Sequence, residues 1–143
     1  MDPRTGNPQL DTVIERFLDR EVCCTKTDRL PVRALEDPAL ATGECANLAW
    51  QFSAFAHAHG LKAKVLDSSP DRLGYDDRPL RGVFAHAVAV VGRLAVDFTA
   101  AQYGYVELPL ISERRPDGSW QHASTASAKR PSGLGSCLAS AHV

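Results

Sequence analysis

A chain of 143 residues is long enough for one compact domain with its own core and too short for two ordinary ones. Its composition, 44% apolar and 23% charged with a net charge of -1, is that of a globular protein and lacks the Lys and Arg excess that would draw it to nucleic acid. No apolar run approaches the roughly 20 residues needed to cross a bilayer, and the N-terminal "MDPRTGNPQLD" lacks the charged-then-apolar order of a secretory signal, so a cytoplasmic location is expected.

The first element in the chain is announced by Asn7-Pro8, an amide N-cap followed by proline at the first helical position. Leu10, Val13, Ile14, Phe17 and Leu18 then recur at helical spacing, which predicts a helix over 8–22. The stretch "CCTKTDRLPVRALEDPALATG", 23–43, holds two prolines and no sustained period, so it reads as a long connection with room for a short helical turn. Connections of this length tend to serve a working site, and this one delivers the chain to Gly43-Glu44-Cys45. From Cys45 to His59 the residues Leu48, Ala49, Phe52, Phe55 and Ala56 form one apolar stripe, and Gly60 supplies the stop. This is the expected central helix, with Cys45 in its first turn on the side of the stripe. Trp50 and Phe52 are expected to belong to the core, although Trp50, off the stripe, is also a candidate for the border of a cleft.

"LKAKVLD", 61–67, alternates apolar residues with lysines and predicts a strand with one solvated face. The Pro, Gly, Asp and Arg of "SSPDRLGYDDRPLRG", 68–82, predict an exposed loop, in which Tyr75, Asp76 and Asp77 are open to solvent or to substrate. "VFAHAVAVV" and "LAVDFTA" are two apolar runs divided by Gly92-Arg93, a pair suited to a tight hairpin turn. Counting outward from that turn sets Val91 opposite Leu94, Ala89 opposite Val96, Val88 opposite Asp97 and His86 opposite Thr99. His86, Val88, Asp97 and Thr99 then share one face, with His86 and Asp97 as diagonal neighbours. "VELPLI", 106–111, predicts a further short strand that Pro109 confines to an edge. A single domain is therefore expected over 1–111. "PDGSW" is able to turn one last hairpin in 112–143, and the Ser- and Ala-rich remainder reads as a loose tail.

The cysteines Cys23, Cys24, Cys45 and Cys137 make neither a disulfide framework nor a zinc spacing, and His57 and His59 are two apart on different helix faces. Reduced thiols are expected, with no metal and no cofactor. Cys23 and Cys24 are expected to pack behind the first helix, and His57 and His59 to sit at the surface or helix end. Cys45 is different in position. A thiol attacks only as thiolate, and the unpaired amides at a helix N-terminus help it to ionise. His86 alongside could take the thiol proton, Asp97 could fix the imidazole tautomer, and the Cys45 amide could donate to an oxyanion. Such a set performs acyl transfer through a thioester.

"GECANLAWQFSAFAHAHGLKAKVLD" followed by "HAVAVVGRLAVDFTA" resembles the core of the transglutaminase-like and papain-like cysteine enzymes, over residues 43 to about 111. The resemblance implies an α+β fold in which a cysteine-bearing helix packs on an antiparallel sheet, with Cys45 as nucleophile, His86 as general base and Asp97 as orienting acid. It implies a protein or peptide substrate attacked at an amide, by a peptidase, amidase, glutamine deamidase or transglutaminase. "DFTAAQY" is also similar to the segment after the acid in bacterial papain-fold proteins, some of which deamidate glutamine. That adds Gln102 to Glu44, Trp50 and Thr99 as candidate substrate contacts. Two departures stand out: "DPALATG" lacks the glutamine that papain-like proteases place ahead of the cysteine, leaving the second oxyanion donor unassigned, and Val88 stands where many members have an aromatic residue. Beside the enzyme reading stand a catalytically silent protein-binding module of the same fold and a structural accessory protein whose helix and hairpin are merely core. The oligomeric state is not specified by the sequence.

Overall fold

The computed structural model describes residues 5–26, 28–75 and 85–122. Helix α1 is Pro8–Leu18, and the Asn7 side chain accepts from the amides of Gln9 and Leu10 as an N-cap should. It ends four residues before the expected end at Val22, because the chain turns at Asp19 and enters strand β1, Glu21–Cys23, which pairs antiparallel with β2, Arg29–Pro31. Val22 is buried from the strand. The long connection is thus structured: after the small hairpin come a 3-10 turn, Val32–Glu36, and a short helix α2, Pro38–Ala41, whose N-cap is Asp37. Local capping by Asp37 and burial of Val32, Leu35 and Ala41 order this stretch without a sustained period.

Helix α3, Cys45–Ala58, is followed by an antiparallel sheet in the order β3 (Ala63–Ser68), β4 (His86–Val91), β5 (Leu94–Asp97), β6 (Leu110–Arg114) and β7 (Trp120–His122). The chain is therefore α+β, a helix packed on a five-stranded antiparallel sheet. The turn between β4 and β5 is the expected Gly92-Arg93 pair, with Gly92 at φ +60, and the register runs Val91–Leu94, Val90–Ala95, Ala89–Val96 as counted from the sequence.

Both faces of this sheet are covered. On one face Leu48, Phe52 and Ala56 of α3 pack on Ala89, Val91, Val96 and Ile111. Phe17 of α1 joins them, its ring 5.1 Å from Phe52 and 4.9 Å from Phe98. On the other face Val88, Val90, Ala95 and Leu110 pack with Tyr75, Tyr103 and Tyr105. β4 lies between these layers and is buried at every position.

Three expectations are corrected here. The strand expected over 106–111 begins at Leu110 and lies between β5 and β7, so it is no edge; Pro109 precedes it, where the missing N–H takes no ladder bond away. The domain boundary expected after residue 111 falls inside β6, and the β6–β7 hairpin is part of the sheet. The loop expected to be exposed over 68–82 is mixed where it is described: Asp71 and Arg72 are exposed as expected, but Pro70, Leu73 and Tyr75 are buried. Asp76 and Asp77, and the expected tail from 123 with Cys137, lie outside the described residues. No helix among the described residues is long and apolar enough to cross a membrane.

Candidate active site

Cys45 opens α3, and the first intrahelical bond, from the Leu48 amide to the Glu44 carbonyl at 2.9 Å, leaves the Cys45 amide ahead of the helical ladder. Glu44 itself is fully buried. Its carboxylate accepts from the Thr25 amide at 3.1 Å, the Thr25 hydroxyl at 2.6 Å and Asn47 Nδ2 at 3.1 Å. The expectation that Glu44 contacts substrate therefore gives way to another role, in which it ties the helix start to the β1–β2 loop. Burial pushes its pKa up, but Thr25, Asn47 and the nearby Lys26 charge outweigh that and hold it below the usual value. Lys26 extends the tie, its ammonium donating to the carbonyls of Ala39 and Thr42 at the end of α2.

His86 is the first residue of β4 and Asp97 the last of β5. The shared face counted from the sequence brings them together: His86 Nε2 lies 2.7 Å from Asp97 Oδ2. The remaining lone pairs of that carboxylate are also filled, by the Tyr75 hydroxyl at 2.5 Å, the Thr99 amide at 2.8 Å and the Thr99 hydroxyl at 3.1 Å. Burial pushes the Asp97 pKa up, yet His86, Tyr75 and the Thr99 amide together hold it below the ordinary carboxylate value. An ionised Asp97 requires a proton on His86 Nε2, which leaves Nδ1 as the nitrogen whose protonation can change. Burial alone would lower the imidazole pKa; Asp97, aided by Cys45, outweighs it and raises it to about 9.

The sulfur of Cys45 is half-buried and faces this imidazole. Burial pushes the thiol pKa up, while the His86 side chain and charge and the Ala87 amide outweigh that and hold it below the ordinary 9.0. The structure thus brings together the three residues named from the sequence, one from each of α3, β4 and β5. Comparison of the chain with protein-family models, with curated proteins and with solved structures found no match.

The remaining candidates have other surroundings. Thr99 holds Asp97, and Gln102 is buried with Nε2 donating to Thr99 Oγ1 at 3.1 Å, so it buttresses the acid from behind. Trp50, expected in the core, is instead 66% exposed on α3, because it lies off the apolar stripe that packs on the sheet. Cys23 is exposed rather than packed behind α1; its carbonyl accepts from Asn47 and Gln51 of α3, while Cys24 is half-buried against the core. His57 Nε2 lies 3.0 Å from the Ala63 carbonyl, and His59 Nδ1 lies 2.9 Å from the Phe55 carbonyl. Among the described residues no group of three or more His, Cys, Asp or Glu side chains is placed to hold a metal ion.

Sequence reasoning missed Tyr103, and it named Tyr75 only as a residue of a loop open to solvent or substrate, not as a buried partner of Asp97. Tyr103 ends a 3-10 turn, Ala100–Tyr103, and its hydroxyl lies 3.2 Å from His86 Nδ1. A tyrosine six residues after the acid, at the end of "DFTAAQY", was the available signal. Tyr75 gave none, because the polar residues around it have the composition of a solvated loop.

Proposed function

We propose that this chain is a cysteine-dependent acyl-transfer enzyme acting on the amide bonds of a protein or peptide, with a core of the transglutaminase-like and papain-like kind. The observation that supports this most is the imidazole of His86, bonded to the Asp97 carboxylate through one nitrogen and facing the Cys45 thiol at the mouth of a 14-residue helix. Each part has a distinct task. The helix N-terminus and the imidazolium favour the thiolate, and Asp97 holds the ring in the tautomer that leaves Nδ1 open to the thiol proton.

In the reaction that follows, the sulfur lone pair attacks the carbonyl carbon, the C=O π pair moves onto oxygen, and the thiol proton resides on His86 Nδ1. The oxyanion then re-forms the carbonyl as the C–N bond breaks, and the Nδ1 proton passes to the departing amine. Water completes hydrolysis or deamidation, and a second amine completes transfer; both attack the same Cys45 thioester.

Reaction with p-nitrophenyl acetate, followed by mass spectrometry of the intact chain and its peptides, tests this. An acetyl group on Cys45 that hydroxylamine removes is expected, with none on Cys45→Ser. His86→Gln is expected to slow acetylation at neutral pH by about 10²–10⁴-fold. Acetylation of Cys23 and Cys24 as fast as Cys45, or a His86→Gln rate equal to the wild type, would defeat the proposal.

A further inference from the structure

Building on the triad reading, we infer that Tyr103 supplies the second hydrogen bond to the oxyanion, its hydroxyl free to donate to the developing negative charge because the thiol proton already sits on His86. Three features lead to this. The Tyr103 hydroxyl lies 3.2 Å from His86 Nδ1, the same nitrogen that serves the thiol, since Nε2 is held by Asp97. The phenol ring is 2% exposed and stands edge-on to the imidazole at 78°, with centroids 4.9 Å apart, so the hydroxyl has few positions open to it. Gln102, the amide that the sequence suggested for a site role, donates to Thr99 Oγ1 instead.

The chemistry of the ring frees the hydroxyl. In the neutral imidazole, Nδ1 carries a lone pair and accepts the Tyr103 proton in a hydrogen bond. Once Nδ1 has taken the thiol proton it carries an N–H and can accept nothing, so the phenol can face the ring only through its oxygen lone pair. Its own O–H is then released towards another acceptor. The acceptor that attack by the thiolate then creates is the oxygen of the substrate carbonyl, whose carbon is being joined to the sulfur that faces this ring. Burial, with the negative charges of Asp97 and Cys45, raises the phenol well above its ordinary pKa, so Tyr103 remains a donor. Sulfur–carbon bond formation moves the C=O π pair onto oxygen; Tyr103 and the Cys45 amide donate to that oxygen, and both bonds weaken as the carbonyl re-forms with loss of the leaving group.

Tyr103→Phe removes the hydroxyl and keeps the ring. Two probes read it on the full chain: p-nitrophenyl acetate, which forms an oxyanion on reaction with Cys45, and iodoacetamide, which alkylates the sulfur by displacement and forms none. Acetylation is expected to fall about a hundredfold, while alkylation keeps the low-pH limb of the wild type. Equal loss of both rates would overturn the proposal, showing that the phenol only positions the ring, and so would loss of neither. Failure of the wild type to be acetylated or alkylated faster at Cys45 than at Cys23 would instead remove the triad reading. Should Tyr103→Phe melt well below the wild type, 3-fluorotyrosine at position 103 keeps the shape and sharpens the donor. The ratio of acetylation to alkylation is then expected to rise, and an unchanged ratio would overturn the inference.

Discussion

Asp97 shows what a buried charge demands at the scale of single residues. A carboxylate with 3% exposure is tolerated because four donors from three segments surround it: Tyr75, His86 and both the amide and hydroxyl of Thr99. Removing one leaves a lone pair unsatisfied in a dry place. Tyr75→Phe is accordingly expected to lower unfolding stability by about 1.5–3 kcal/mol, the range for hydrogen bonds to charged groups. Urea denaturation measures this, and a loss below a few tenths of that range would mean the Tyr75 hydroxyl does not hold the acid. His86 and Asp97 were legible in the sequence because a two-residue turn fixes the register of a hairpin, and period-two geometry then decides which side chains share a face. Tyr75 was not, since its burial depends on a partner 22 residues away.

At the scale of elements, the site is held from two sides. The β1–β2 loop grips the start of α3 through Thr25 and Glu44, while β7 supports the segment that carries Tyr75. Gly74 shows how close that second support is. It lies at φ +89, and a Cβ there would stand 2.8 Å from the Trp120 carbonyl. Gly74→Ala must therefore displace β7 or the Tyr75 segment, besides occupying a backbone conformation that suits glycine. A stability loss of about 1–3 kcal/mol is expected, together with faster amide exchange in β7; unchanged stability and exchange would show that the hairpin does not brace the site. The central helix was legible because its stripe repeats at 3.6 residues, and so was the β4–β5 hairpin. The structure of the 23–43 connection was not, because its order comes from caps and from Glu44, a charged residue whose burial is visible only once Thr25 and Asn47 surround it. The β6–β7 hairpin was half-visible: "PDGSW" marked the turn, but Pro109 suggested an edge that tertiary pairing overrode.

For the whole molecule, the Cys45–His86–Asp97 set links folding to pH. The imidazole, ordinarily at 6.5, is raised to about 9 in the folded state, so its contribution is complete below 6.5 and is lost as pH rises through about 9. The lowered thiol has the opposite slope: its contribution is complete above 9.0 and is lost as pH falls through its folded value. The two partly cancel in the wild type, so the imidazole's slope is to be read in Cys45→Ser. Stability of that variant is expected to fall as pH rises above 6.5, and Cys45→Ser combined with His86→Gln is expected to show no such fall. A single variant whose stability rises over this range would contradict the sign. The pairing of sulfur with imidazole is tested most directly by the ultraviolet absorbance of the thiolate, titrated as the difference between wild type and Cys45→Ser. The expected result is a step below the ordinary cysteine value of 9.0 that moves to or above it in His86→Gln. A wild-type step at or above the ordinary value, unmoved by loss of the imidazole, would contradict the pairing.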